Sequence, residues 1–291
     1  MKKPMARATR ENIYGYMFIG IWVLGFIVFM VYPLLTSIYY SLNEVRFTAN
    51  GIRTTFVGLD NYLKIFQIEQ GFVFVESLTG FLQQMVLQIP VIVVFSILIA
   101  LLLNQKIKGR GIFRSIFFLP VIISSGPVIN ELISQGAGGT NIFDSYGFIS
   151  IIESTLNPGL AKPIVDLFSQ IIIIFWFSGV QILIFIAGLQ KIDGQIYEAA
   201  QIDGAGPWQS FWKITMPSLS SLIFVNTIYT IVLLTTFSEN KVILSIKSNM
   251  FNTVTGFGMA SAMAWMYALV VFVTIGLVAF LFRTKNPRRR F

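Results

Sequence analysis

Residues 75–103 read VESLTGFLQQMVLQIPVIVVFSILIALLL, a run dominated by Val, Ile, Leu and Phe in which Glu76 is the one ionisable residue. About 20 apolar residues carry a helix across the hydrocarbon core of a bilayer, so this run is long enough to span one. Outward from it, five more runs of spanning length follow the same composition: about Ile13–Leu35, Ile112–Ser134, Val165–Leu189, Ser218–Ser238 and Phe257–Phe282. A transmembrane barrel would show shorter, alternating segments instead. The expected fold is all-α: one polytopic membrane domain over 1–291 with six transmembrane helices.

The whole-chain balance agrees. Of 291 residues, 55% are hydrophobic and 12% charged, with a mean hydropathy of +0.74. A soluble domain carries roughly 25% charged residues. With no Cys and no His, the chain lacks a thiolate nucleophile, an imidazole base, a disulfide and an ordinary zinc site. The carboxylates are scattered among loops, so no acid–base pair or metal cluster assembles on one face, and an enzyme is excluded on those grounds.

The net charge of +8 is informative through its placement. With the N-terminus in the cytoplasm, fifteen of the 21 basic residues fall on inside segments, among them Lys2, Lys3, Arg7, Arg10, Lys106, Lys108, Arg110 and Arg114. Arg46, Arg53, Lys64, Lys162, Lys241 and Lys247 fall outside. The positive-inside rule therefore puts both termini in the cytoplasm, and Arg288-Arg289-Arg290 reads as a topology-setting flank, not a nucleic-acid site. The first apolar run exceeds the 7–15 residues of a signal peptide core, so it reads as a retained helix. Asn43–Phe74 and Gln135–Ile164 read as polar, Gly-containing outer connections. Gly136-Ala137-Gly138-Gly139 lacks the Lys-Ser/Thr of a phosphate loop.

One inner segment, 190–217, is anomalous. Of the four inside acids, Asp193, Glu198 and Asp203 all lie in it. Glu198-Ala199-Ala200 suits a helix, which Gly204, Gly206 and Pro207 end sharply. Small residues let a backbone press close to a partner, while carboxylates reach for its Arg or Lys. A solvated acidic surface helix is the plainer reading of the composition.

The spacing points further. Glu198-Ala199-Ala200, Gly204, Ile214 and Pro217 resemble the signature loop of permease subunits of bacterial ATP-binding-cassette importers, with Met216 in place of the usual Leu. Phe56-Val57-Gly58-Leu59-Asp60-Asn61-Tyr62 and Phe113-Arg114-Ser115-Ile116-Phe117-Phe118-Leu119-Pro120 resemble segments of the carbohydrate-uptake branch, the maltose-type and glycerol-phosphate-type permeases. The resemblance implies a subunit of the bacterial cell membrane that forms a heterodimer with a second permease, two ATPase subunits and an extracytoplasmic substrate-binding protein. It implies that ATP and Mg are used by the ATPase subunits; this chain has no Walker A sequence and no cofactor of its own. It also implies a short cytoplasmic coupling helix between helices four and five that docks on an ATPase. Glu198 and Asp203 would supply charge-assisted contacts there, Ala199 and Ala200 close approach and Gly204 the turn, with Ile214 and Pro217 leading into helix five.

Polar residues inside a membrane bundle are costly and usually face its interior. Gln170, Phe177 and Gln181 share one face of helix four at 100° per residue, and Asn226, Thr230, Leu233 and Phe237 form a stripe on helix five with Tyr229 at its edge. Amides beside aromatic rings suit sugars, which present hydroxyls and apolar ring faces. Trp176 and Trp265 are further stacking candidates; Gln83, Gln84 and Gln88, and Asn130 with Glu131, are weaker ones. The resemblance adds that such permeases hold substrate near the midplane, on the helices flanking the signature loop. The competing reading of the same amides is structural glue between helices. No Lys or Arg lies mid-membrane, which tilts against a strongly anionic substrate. The alternatives are an importer of a non-sugar solute such as a glycerophosphate ester, an ion-coupled secondary transporter, and a membrane sensor that moves nothing. The near absence of buried ionisable groups disfavours the ion-coupled transporter.

Overall fold

The computed structural model describes residues 7–48, 51–105, 111–112, 115–116, 131, 147–157, 159, 161, 164–165, 171–252 and 255–283. The chain forms two units: one from residues up to Glu76 with Ser245–Ala268, the other from Ser77–Leu244 with the residues from Leu269 onward.

The first unit begins with α1 (Arg7–Phe26) and α2 (Tyr32–Ser41), joined without a break by a π-helical turn over Ile27–Val31. The wide turn answers Pro33, which lacks an N–H and whose ring crowds the carbonyl four residues back. Phe18, Trp22 and Phe29 stand almost fully exposed along this helix, a surface fit for lipid and not for water. After α2 the chain turns into β1 (Asn43–Thr48) and β2 (Gly51–Phe56), an antiparallel hairpin with Asn43 opposite Phe56 and Thr48 opposite Gly51.

The chain is mostly helical, and this hairpin is the departure from the all-α expectation, in which Asn43–Phe74 is a polar, Gly-containing connection. Alternation supplies the physical reason. Val45 is buried while Arg46 beside it is exposed, the period-two pattern of a half-buried strand. Val57 N–H then bonds Leu42 O at 3.0 Å, closing the base of the hairpin.

Asn61, on α3 (Asp60–Lys64), fastens that base. Its buried Nδ2 donates to Ser41 O and to Asn43 O, each at 2.9 Å, and Tyr62 Oη donates to Ser41 Oγ at 3.0 Å. Asn43 Nδ2 in turn donates to Tyr39 O at 2.6 Å. The helix end and the strand start are thus satisfied by one amide. The final helix, here α12 (Gly256–Leu281), begins against the same strand. A Cβ on Gly258 would collide with Asn43 O, and one on Gly256 would lie 3.2 Å from Val45 O.

α4 (Glu69–Asn104) contains the whole predicted Val75–Leu103 run, with Pro90 inside it. In the second unit its C-terminal half packs Val93, Ile97, Ala100 and Leu103 against Ile182, Phe185, Ile186 and Leu189 and against Leu219. α5 (Phe148–Thr155) is a short helix within the predicted Gln135–Ile164 connection. α6 (Ile171–Phe177) and α7 (Gly179–Leu189) are separated by Ser178. α8 (Gly194–Ile202) and α9 (Pro207–Ser210) follow, then a π-helical turn over Phe211–Thr215 and α10 (Met216–Thr236). The backbone becomes extended at Phe237 and resumes as α11 (Lys241–Met250). Asn240 bridges that break, its Nδ2 donating to Leu234 O at 3.2 Å while its Oδ1 accepts from Val242 N–H at 2.9 Å.

Four described helical stretches are long and apolar enough to cross a membrane: Tyr14–Ser41, Glu69–Asn104, Pro207–Met250 and Gly256–Leu281. They contain or match the predicted runs one, two, five and six. Of Val165–Leu189, the part from 171 is helical, while Ile112–Ser134 lies almost wholly outside the described residues.

Gly258→Ala forces a methyl into the β1 backbone and is expected to cost about 1–3 kcal/mol. Its melting temperature in detergent should fall clearly below that of Gly20→Ala, where nothing lies within 4 Å. Equal melting temperatures would remove the close-approach role.

Candidate functional site

Two groups of predicted residues fall in the second unit, one at its surface and one centred in its interior.

The surface group is α8. Asp193 caps it, its carboxylate accepting from Gln195 N–H at 3.0 Å, as an N-terminal cap should. The helix ends in a Schellman turn: Ala205 N–H bonds Ala200 O at 2.8 Å and Gly204 N–H bonds Gln201 O at 3.0 Å. Gly204 sits at φ +80°, where a side chain is strained. The predicted stop at Gly204 is correct, but Gly206-Pro207 starts the next helix. Proline at a first helical position loses no bond, and Gly206 N–H is taken by Gln209 Oε1 at 3.3 Å.

No residue of α8 is buried. Glu198, Ala199, Asp203 and Gly204 are exposed, Ala200 and Ile214 are half-buried, and Pro217 is exposed in the first turn of α10. Ile202 projects with 87% of its surface free. One tie holds the helix to the following segment, a 2.8 Å hydrogen bond between the hydroxyls of Tyr197 and Thr215. At its two ends α8 joins elements that are packed together. Leu189 and Leu219 share one core cluster, and a side chain on Gly188 would run into Leu222.

The interior group lies where α7 crosses α10. Gln181, Asn226 and Thr230 are each fully buried. Gln181 Nε2 donates to Thr230 Oγ1 at 3.0 Å, Asn226 Nδ2 donates to Gln181 O at 3.5 Å, and Thr230 Oγ1 donates to Asn226 O at 2.8 Å. Gln181 Oε1, Asn226 Oδ1 and Trp176 Nε1 are buried without a hydrogen-bond partner. Phe177 meets Phe237 edge-on at 5.1 Å in the adjoining apolar cluster, where Trp176 packs as well. Tyr229 is half-buried.

The structure therefore brings Gln181, Asn226 and Thr230 into one network and pairs Phe177 with Phe237. Gln170 and Asn130 lie outside the described residues, Trp265 belongs to the first unit, and Gln83 and Glu131 are exposed. The sequence reading did not reach Asn240, although a polar pair, Glu239-Asn240, at the end of an apolar run is a signal for a helix break.

A mostly helical chain with several membrane-length spans, an exposed capped helix and a polar seam beneath it has the features of a transport subunit. The chain belongs to the family of binding-protein-dependent transport system inner membrane components, which matches residues 72–290. It is 30% identical to the probable ABC transporter permease protein YesP of Bacillus subtilis, over 98% of this chain and 94% of that one. It is 28% identical to the multiple sugar-binding transport system permease protein MsmF of Streptococcus mutans, over 94% and 96% of the two chains. Among solved structures it superposes on a bacterial ABC transporter involved in the import of the acidic polysaccharide alginate. That match has a TM-score of 0.68 and 17% identity and covers 96% of this chain and 98% of that one; at such identity it shows the fold alone.

The seam is testable by a double-mutant cycle on Gln181→Leu and Thr230→Val. Thr230→Val leaves Gln181 Nε2 without its acceptor, and Gln181→Leu leaves Thr230 Oγ1 with only its bond to Asn226 O, so the double variant should be more stable than the sum of the two predicts. The expected coupling is about 0.6 kcal/mol and at most about 1.7, read from thermal unfolding in detergent. Strict additivity would show that the two side chains act independently.

Proposed function

We propose that this chain is the permease subunit of an ATP-driven, binding-protein-dependent sugar importer. In this reading it forms the translocation path in a bacterial plasma membrane with a second permease, receives substrate from an extracytoplasmic binding protein, and is driven by two ATPase subunits that use ATP and Mg. The observation that carries the coupling role is α8: an exposed, doubly capped helix that leads on one side to α7 and on the other, through α9 and the π-helical turn, to α10, two helices packed in one core. Glu198 and Asp203 offer carboxylates to a basic partner, Ala199 and Ala200 allow its backbone close, and Gly204 fixes the exit. A displacement of α8 is then transmitted through both flanks to α7 and α10, the rocking motion that alternating access requires.

A sugar substrate is supported by the chemistry of the seam and by the relatives' names, which specify multiple sugars in Streptococcus mutans and lactose in Rhizobium radiobacter. Gln181 Oε1 and Asn226 Oδ1 are free to accept hydroxyl protons, and Trp176, Phe177 and Phe237 offer ring faces. Gln170, Tyr229 and Thr230 complete the proposed set. Because the three polar members are now buried, substrate contact requires α7 and α10 to part.

The test is uptake of labelled oligosaccharide by the complex that co-purifies with a tagged chain. Gly204→Asp, or a bulky Ala200→Trp, should lower ATP-dependent uptake by about an order of magnitude or more, because a yielding contact cannot supply the roughly 5.5 kcal/mol of a full two-state shift. Membrane insertion should stay normal. Wild-type uptake in both variants overturns the coupling role. Loss of uptake when the proton gradient is collapsed at constant ATP favours an ion-coupled transporter instead.

A further inference from the structure

Between the Schellman turn and α10, three aromatic side chains gather into one exposed cluster. Trp208 and Phe211 stack at 6.1 Å, and Trp212 meets Trp208 edge-on at 5.7 Å and Phe211 at 5.0 Å. Trp208 is 72% exposed and Trp212 51%, while Ser210 and Thr215 on the same stretch are buried. Lys213 stands exposed beside them, and no acidic residue occurs between Asp203 and Glu239. Ordinary burial does not explain two free indoles and a free ammonium on one short segment.

Length decides what covers them. α10 has 21 residues, about 31 Å at 1.5 Å per residue, which matches a hydrocarbon core about 30 Å thick. The candidate span from Pro207 to Met250 is 44 residues, far more than the core can hold. With α10 filling the core, Trp212 stands four residues, about 6 Å, before it. The polar layer on each side of the core is about 5–8 Å deep, so Trp212 falls within it, while Trp208, eight residues or about 12 Å before α10, stands past its outer edge in ring contact with Trp212 at 5.7 Å.

We propose that Trp208, Phe211, Trp212 and Lys213 form an interfacial anchor bound to the lipid headgroup layer, with a preference for anionic lipid. The indoles present an apolar body to the upper acyl chains and an N–H to carbonyl and phosphate oxygens. The Lys213 ammonium adds attraction to phosphate, on a stretch of sequence without a carboxylate from Gly204 to Ser238. The anchor fixes the depth of the N-terminal end of α10, and through the Tyr197–Thr215 hydrogen bond it holds the base of α8 at the same level. It depends on the family's membrane location and not on the identity of the substrate or the motor.

The experiment uses full-length chain in which Trp22→Phe, Trp176→Phe and Trp265→Phe are combined with either Trp208→Phe or Trp212→Phe, leaving one indole. Each protein is reconstituted in phosphatidylcholine–phosphatidylglycerol vesicles containing lipid brominated either near the glycerol end or near the chain terminus. Both remaining indoles should be quenched at least about twofold more by the shallow bromines than by the deep ones, and only weakly by aqueous iodide. Ile202→Trp in a chain with all five native indoles replaced is the contrast: it should respond to iodide and to neither lipid. Iodide quenching at positions 208 and 212 equal to that at 202 overturns the anchor. So does loss of the lipid quenching when co-purifying subunits are present, which would assign the cluster to a protein partner. As a second readout, a nitroxide on Trp212→Cys in the assembled complex, possible because the chain has no native Cys, should collide more with oxygen than with an aqueous nickel chelate. The reverse order overturns the proposal as well.

Discussion

A hydroxyl on these helices takes the carbonyl oxygen one turn behind it, a habit that recurs along the described chain. Thr36, Ser96, Ser178, Ser218, Thr227, Thr230, Thr235 and Thr274 all donate to the carbonyl four residues back, at 2.6–2.9 Å. Such a side chain is satisfied within its own helix and needs no partner on a neighbour, although Thr230 also accepts from Gln181 Nε2 across the seam. A carboxamide is different. It has two donors and an acceptor with two lone pairs, more than one helix can satisfy, so a buried Gln or Asn must reach elsewhere. Asn61 does so at the hairpin base and Gln181 and Asn226 at the α7–α10 seam. In a bundle whose surfaces are otherwise apolar, these amides fix which helices meet and in what register.

The same constraint explains the path from α8 to the interior. Leu189 and Leu219 lie in one core cluster, and Gly188 brings α7 close to Leu222. Under the proposed reading, a force on α8 would pass from a helix closed at one end by the Asp193 cap and at the other by the Schellman turn. The π-helical turn over Phe211–Thr215 is the looser element on this route, and the Tyr197–Thr215 contact braces it.

Apolar length is enough to read four of the six spanning runs from sequence. Val75–Leu103 became α4 and Phe257–Phe282 became α12, each within a few residues, because a bilayer admits almost no alternative to a helix. Helical periodicity also placed Gln181 on one face and Asn226 with Thr230 on another, and those faces do meet. The hairpin is not legible because its strands are short and, among the described side chains of the two strands, only Asn43 and Val45 are buried; local alternation is weak over six residues. Gly206-Pro207 was misread because the same dipeptide that stops one helix opens another, and the direction depends on a capping partner three residues on. The hydrogen-bond partners of the amides were not legible, since spacing gives a face and not a distance.

The unpaired acceptors bear on how such a seam works. Gln181 Oε1 and Asn226 Oδ1 sit in the interior with nothing donating to them, and each buried unsatisfied group costs about 1–3 kcal/mol. Together they penalise the closed seam by about 2–6 kcal/mol relative to one in which donors are present. That is the same order as the roughly 5.5 kcal/mol needed to move a two-state gate from almost fully closed to almost fully open. Under the proposed reading, the closed arrangement is therefore only marginally preferred, and a solute carrying several hydroxyls would offset much of the cost of opening. A fully satisfied seam would hold α7 and α10 together too firmly for a push on α8 to part them. In that reading, incomplete pairing inside and a capped, exposed helix outside would serve one physical requirement: a gate that is easy to unlatch, joined to the helix that is pushed.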